Sequence, residues 1–273
     1  MSELSDSPLG RAAKYPEHHD PGLLFAIDRA TQRALLGFDG APPFGGVDLW
    51  TAYELSWLNR NGKPEVAIAT FAVPADSPRL VESKSVKLYL TGFNLTRFDG
   101  PSDVAATLAR DLSHAVGAAI DVALTPPSAD GALPLAELPG ACLDELSIAV
   151  AQYEPAPEAL AAAGAVRHEA FYTRLFRSVC PVTGQPDYAC VQVEYRGAAI
   201  DPAGLLRYLV SFRRHPGFHE HCVERIFADV WRRCRPETLS VYARFTRRGG
   251  IDINPYRSSE GGGPPAHVRT ARQ

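Results

Sequence analysis

The 273-residue chain carries one short pattern twice, and that repeat constrains the fold more than any other feature. Tyr89-Leu90-Thr91-Gly92-Phe93 and Tyr208-Leu209-Val210-Ser211-Phe212 both read Tyr-Leu-x-x-Phe, 119 residues apart. At the same offset Val104, Leu108 and Leu112 fall on Val223, Phe227 and Trp231. Both triplets step by four, so each marks one face of a helix. Upstream of each pattern lie two strand-like runs, near Leu49–Trp57 and Val66–Val73 in the first half and at Ala170–Val179 and Tyr188–Tyr195 in the second. Downstream of the second helix, Leu239–Phe245 alternates and Ile251-Asp252-Ile253 follows a turn. Downstream of the first, Ala118–Leu124 reads as a strand and Glu145–Tyr153 as a further one. Each half thus predicts two strands, two helices and two strands, and sequential hairpins with helices on one face make an α+β layer. The stretches Ala123 to Gly140 and Glu154 to Gly164 are rich in Ala and Pro and lack alternation, so they read as the connection. The expected modules are residues 1–150 and 151–273.

Composition narrows the function classes. A formal charge of -3 offers no overall cationic surface for nucleic acid. The opening Met1-Ser2-Glu3-Leu4-Ser5-Asp6 has no apolar signal core, and no apolar run is long enough to cross a bilayer. The five cysteines, Cys142, Cys180, Cys190, Cys222 and Cys234, are odd in number, which predicts reduced thiols and a cytoplasmic location. All but Cys180 read as core filling, and the glycine-rich stretch Gly261–Gln273 as a mobile tail.

Four segments hold residues that could carry chemistry. Cys180-Pro181-Val182-Thr183-Gly184-Gln185-Pro186-Asp187 sets a thiol and a carboxylate seven residues apart in a run that two prolines keep out of regular structure. Thr183-Gly184 allows a tight turn that folds Asp187 back towards Cys180. A thiolate is a nucleophile, and a carboxyl group in a partly dry site can act as an acid. Taken alone, the run reads equally as a hairpin loop around a structural cysteine. Val81-Glu82-Ser83-Lys84-Ser85-Val86-Lys87 leaves a strand and enters a helix, where free backbone N–H groups could receive an anion or a polar ring. Lys84 and Lys87 share a face there, although a capped, solvated helix start gives the same pattern.

Pro216-Gly217-Phe218-His219-Glu220-His221-Cys222 enters the matching helix of the second half. His219 can exchange a proton near neutrality, and Glu220 can accept two hydrogen bonds from a guanidine-like edge. His219, His221, Cys222 and Cys180 are also zinc-ligand types, though their spacing matches no common structural zinc pattern. Arg247-Arg248-Gly249-Gly250 could present guanidinium and N–H groups to phosphate, or form an ordinary basic turn. No glycine-rich dinucleotide fingerprint or Walker loop is present, so any dinucleotide binds without a Rossmann module.

Together these segments resemble the NADPH-dependent 7-cyano-7-deazaguanine reductases, the nitrile reductases of queuosine biosynthesis, in their long form with two tandem tunnelling-fold modules. The resemblance extends to Asp20-Pro21-Gly22-Leu23-Leu24-Phe25, to Gly46–Asn59 and to Phe93-Asn94-Leu95-Thr96-Arg97-Phe98. It implies that Cys180 forms a covalent thioimide with the nitrile carbon and that Asp187 protonates the nitrile nitrogen. His219 would stand beside the substrate and assist proton transfer. Val81, Glu82, Ser83, His219 and Glu220 would contact the deazaguanine. Ser83, Lys84, Arg248 and Gly249 would meet NADPH, two of which are consumed per turnover, with Arg247, Arg248 and Arg257 as candidates for its ribose phosphate. No metal, no nucleic acid and no membrane are implied, and a homodimer is. Two other readings use the same residues: a zinc-dependent hydrolase similar to GTP cyclohydrolase I, and a non-catalytic purine- or tRNA-binding module.

Overall fold

Both expected helix pairs form, and each packs against mostly antiparallel strands. The structure, a computed structural model, describes residues 15–38, 41–128, 133–261, 263 and 267–273. The acidic opening hexapeptide lies outside them. The elements in chain order are β1 (Ala26–Asp28), α1 (Arg29–Arg33), β2 (Gly45–Leu58), β3 (Pro64–Pro74), β4 (Arg79–Val81), α2 (Ser83–Thr91), α3 (Pro101–Val116), β5 (Val122–Thr125), β6 (Ala141–Cys142), β7 (Ala162–Val179), β8 (Pro186–Ile200), α4 (Pro202–Val210), α5 (His219–Cys234), β9 (Thr238–Phe245) and β10 (Ile251–Ser258). Among the described residues no helix is long and apolar enough to cross a membrane.

The chain divides into two units. The first holds residues up to Gln32, Asp48–Leu133 and Arg247–Ile253; the second holds Arg33–Val47, Pro134–Thr246 and Asn254–Gln273. In the first unit β5, β3 and β2 lie side by side, and Tyr53 N–H donates to Gly250 C=O at 2.8 Å where β10 begins. β1 and β4 form a separate antiparallel pair. Trp50, Phe71, Tyr89, Phe93, Val104, Leu108 and Leu112 make the core beneath α2 and α3. In the second unit the order is β10-β9-β8-β7-β6, antiparallel except for the short β6–β7 pairing. Phe176, Val191, Val193, Leu205, Tyr208, Phe212, Ile226 and Phe227 fill its core between strands and helices.

Several expectations need correction. Glu145–Tyr153 forms no strand, and Ala118–Leu124 begins as a strand only at Val122. The helix offset also slips by one. α2 and α4 match at 119, but α3 and α5 match at 118, from Pro101 to His219, because the second interhelical loop is one residue shorter. Val104, Leu108 and Leu112 therefore correspond to Cys222, Ile226 and Val230, all fully buried, whereas Trp231 is only partly so. The corrected frame aligns a buried polar pair. Tyr89 Oη donates to Asp111 Oδ2 and Tyr208 Oη to Asp229 Oδ2, each at 2.8 Å. The end of the chain also differs from a mobile tail. Arg269 bonds both ways with the backbone of Pro134 and Ala136, and Thr270 and Gln273 are buried. Cys190, Cys222 and Cys234 fill the core as expected, while Cys142 is half-exposed and receives a bond from Arg174.

The second unit contains one buried charge cluster with a sharp consequence. Glu224 on α5 accepts from Arg33 Nη2 at 2.7 Å and from Arg257 Nη2 at 2.8 Å. Arg257 is fully buried there, which removes it as a candidate for an NADPH ribose phosphate. Burial alone would raise the Glu224 carboxyl, but Arg257 and then Arg33 outweigh it and hold the group at about 2. A carboxylate depressed in the folded state stabilises above its unfolded value of 4.5, and that contribution is lost as pH falls towards 2. Glu224→Gln leaves two guanidinium groups without their counter-charge, so urea unfolding at pH 7 is expected to show a loss of about 3–5 kcal/mol. The difference from wild type should shrink as the pH is lowered from 5 to 3.

Candidate functional site

In the second unit the β7–β8 hairpin builds the site from its register. Val179 pairs with Pro186 and Ser178 with Asp187, so Ser178 and Asp187 share a face. Cys180 is the first residue beyond β7, two positions after Ser178, where the chain turns back. The turn closes by Cys180 N–H to Gln185 C=O at 2.8 Å and Gly184 N–H to Cys180 C=O at 3.0 Å. Gly184 takes φ +69°, the left-handed conformation the turn needs. Cys180 is partly exposed, whereas Asp187 is 4% exposed. The stiff fold-back expected of this run is what forms.

The segment before α5 runs beside the same strand end. Val179 N–H donates to His215 C=O at 3.0 Å, and Gly217 N–H donates to Val179 C=O at 3.1 Å. That bracket delivers His219 and Glu220, in the first turn of α5, to the Cys180–Asp187 hairpin. His219 Nε2 lies 3.6 Å from Asp187 Oδ2. Its other nitrogen, Nδ1, is buried with no hydrogen-bond partner among the described residues. Glu220 is 3% exposed, and the preceding Phe218 offers no side-chain cap to the helix. An acidic side chain in an uncapped first turn is favoured by the helix dipole. Cys222 lies one turn deeper, where burial pushes its thiol up to about 12. Among the described residues no three His, Cys, Asp or Glu side chains gather as a metal ion would require.

In the first unit Glu82 is the N-cap of α2. Its carboxylate accepts from Lys84 N–H and Ser85 N–H, both at 2.7 Å, and from Ser83 Oγ at 3.3 Å. The N–H groups expected to be free for a ligand are therefore taken by Glu82 itself. The carboxyl is nonetheless buried, and burial raises it while those N–H groups and Lys87 pull it back. A buried carboxylate that has spent only part of its acceptor capacity can still receive donors from a ring. Val81 points into the core at 2% exposure, so only its backbone is left for a ligand.

The basic turn meets the same helix. Gly249 and Gly250 are both left-handed, at φ +59° and +75°. A Cβ at Gly249 would stand 3.0 Å from Lys87 Cδ, and one at Gly250 would stand 2.5 Å from Glu54. Gly249 therefore lets the turn close against α2, and Gly250 against Glu54 on β2. Between them is a pocket of about 310 Å³ lined by Tyr15, Glu54, Lys87, Asn94 and the two glycines, with Thr91 and Leu90 on the helix side. Arg247 lies over the Tyr53 ring, 4.4 Å from its centroid. A cationic side chain, exposed backbone and hydrogen-bonding groups in one small hollow suit part of a nucleotide. Of Lys84, Arg248 and Gly249, which the sequence marks for the cofactor, Gly249 lines this pocket. Tyr15, Glu54 and Asn94 line it without having been assigned a role, although Glu54 and Asn94 lie in segments that carry the family resemblance.

Comparisons with known proteins match both halves of the chain. A family model described as the N-terminal part of nitrile reductase, 7-cyano-7-deazaguanine-reductase, matches residues 15–124, and one described as QueF-like protein matches residues 186–262. The chain is 57% identical over 99% of its length to a protein of Bordetella pertussis, itself covered to 99%. It is 56% identical to one of Chromobacterium violaceum (98% and 96% covered) and 52% identical to one of Chromohalobacter salexigens (99% and 98% covered). All three are named NADPH-dependent 7-cyano-7-deazaguanine reductase. The apo crystal structure of an archaeosine synthase QueF-Like aligns over 37% of the chain and 98% of its own, at 20% identity and a TM-score of 0.32, too low to bear on the fold.

Proposed function

The chain belongs to the family of NADPH-dependent 7-cyano-7-deazaguanine reductases, and from that premise we propose that Cys180, Asp187 and His219 carry its chemistry while Glu82 and Glu220 hold the substrate. The enzyme reduces the nitrile of 7-cyano-7-deazaguanine to the aminomethyl group, a step of queuosine biosynthesis, with NADPH as reductant. The observation that supports the residue assignment is that Asp187 pairs with Ser178, two residues before the partly exposed Cys180, and that His219 Nε2 lies 3.6 Å from Asp187 Oδ2.

A nitrile is a poor electrophile until its nitrogen gains a proton. Cys180 Sγ adds to the nitrile carbon, the C–S bond forms, and Asp187 delivers a proton to the nitrogen to give a thioimide. NADPH, when bound, supplies hydride, which no side chain can, and two are needed for the four-electron reduction. Between the two reductions the C–S bond breaks, and Cys180 leaves as a thiolate. Glu82 and Glu220 keep hold of the ring, so that the imine is not released to water. His219, next to Asp187, moves protons to the nitrogen. Ser83, Lys84, Lys87, Arg248 and the Gly249-Gly250 turn would hold part of the dinucleotide.

The same reading includes two tandem tunnelling-fold modules, residues 1–150 and 151–273, and assembly as a homodimer. The matching helix pairs and the repeated Tyr–Asp bond support the two modules.

NADPH consumption on addition of 7-cyano-7-deazaguanine tests the activity, with two equivalents expected per nitrile; a hydrolase or a binding module would consume none. Ring recognition has its own test. Glu82→Gln keeps one oxygen for the helix cap but sets an amide against the donors of the ring. Glu220→Gln does the same on α5. Each is expected to weaken substrate binding by about 1–3 kcal/mol, roughly tenfold to a hundredfold, in calorimetric titration. Unchanged affinity in either variant would remove that residue from the substrate site.

A further inference from the structure

The His219 ring lies flat on the ring of Phe245, with centroids 3.7 Å apart and planes 2° from parallel. This contact matters because of what His219 lacks. A histidine that moves protons is usually aimed by a hydrogen bond to its second ring nitrogen. Here Nδ1 is buried and has no such partner among the described residues. The ring torsion of histidine is otherwise broad and close to two-fold. Packing must therefore set the plane of the ring, and Phe245 supplies the surface.

Phe245 is itself held with unusual completeness. It is fully buried, and Phe176 meets it edge-on at 6.0 Å. Its N–H donates to Asn254 Oδ1 at 3.1 Å, and its C=O accepts from Gln273 Nε2 at 2.9 Å. That amide nitrogen also donates to Asn254 Oδ1 at 2.9 Å. Gln273 Oε1 in turn accepts from Arg244 Nε and Thr270 N–H, each at 3.0 Å. Two buried side-chain amides thus clamp both backbone polar groups of the residue whose ring backs the histidine.

We propose that Phe245 is a positioning residue for nitrile reduction, fixing the plane of His219 so that Nε2 stays aimed at Asp187, and that Asn254 and Gln273 hold Phe245 for that purpose. The inference rests on the proton-transfer role given above to His219. The 3.6 Å between Nε2 and Asp187 Oδ2 is slightly beyond a direct hydrogen bond, so a modest tilt of the ring decides whether a proton can pass.

A double-mutant cycle on the full-length enzyme tests this, using steady-state kcat and KM for Phe245→Leu, His219→Ala and the pair. Leucine keeps the site apolar but gives no flat face. Phe245→Leu is expected to lower kcat by about tenfold or more, with KM for the nitrile changed by less than about threefold. Added to His219→Ala, the same substitution should cost nothing further, because the residue it serves is gone. An equal loss in both backgrounds, or a rise in KM with kcat unchanged, would overturn the positioning role. A His219→Ala enzyme at the wild-type rate would overturn the role of His219 itself, a separate outcome. Should Phe245→Leu fail to fold, Gln273→Ala takes its place in the cycle, expected to lower kcat by about threefold only when His219 is present.

Discussion

Replacing Cys180 with alanine is expected to abolish turnover, by at least about 10⁴-fold, because no other group at the site can form the bond to the nitrile carbon. The other cysteines offer no substitute. Burial raises the thiols of Cys190, Cys222 and Cys234, the last two to about 12 and about 11. Cys142 is bonded to Arg174 in the β6–β7 region, away from the hairpin turn. The substitution should leave the fold intact, since the backbone of residue 180 makes the turn's two closing hydrogen bonds and alanine keeps both. Calorimetry of Cys180→Ala should therefore still report substrate binding while NADPH oxidation is absent. Residual turnover near the wild-type level would show that the reduction proceeds without the thiol.

Asp187→Asn is expected to lower kcat by roughly 10²–10⁴, the usual weight of general acid–base catalysis. Asparagine matches aspartate in shape, so the Ser178–Asp187 register and the approach to His219 should persist. What disappears is a carboxyl proton for the nitrile nitrogen. The nitrile KM should change much less than kcat, which is the pattern of an interaction made in the transition state. Steady-state assays across a range of nitrile concentrations separate the two constants. An Asp187→Asn enzyme with wild-type kcat would assign the proton to another donor.

The hairpin around Cys180 was legible because Pro181, Gly184 and Pro186 punctuate it, and such residues act through local sterics. The helix pairs were legible for the same kind of reason, an apolar stripe of the right period. The one-residue slip between α3 and α5 was not, because a shortened loop leaves no periodic trace and Val223 and Phe227 are buried as well. Glu82 shows the limit of local reading. Its position at a helix start was visible, but not that its own carboxylate takes the N–H groups. Arg257 lay in a basic, glycine-containing run and looked like a phosphate ligand. Only tertiary contact with Glu224 shows it to be an internal counter-ion. Phe245 reads only as a strand residue, and its link to His219 and Gln273 leaves no local trace, because those partners lie 26 and 28 residues away.

The covalent step is the centre of the account, and a mass measurement reaches it directly. The wild-type enzyme is incubated with 7-cyano-7-deazaguanine in the absence of NADPH, and its intact mass is recorded. With no hydride available, the reaction should stop at the thioimide. The protein should gain the mass of one substrate, and fragmentation should locate the addition on Cys180. An unchanged mass from an enzyme that turns over normally once NADPH is added, or an adduct on any other residue, would contradict it.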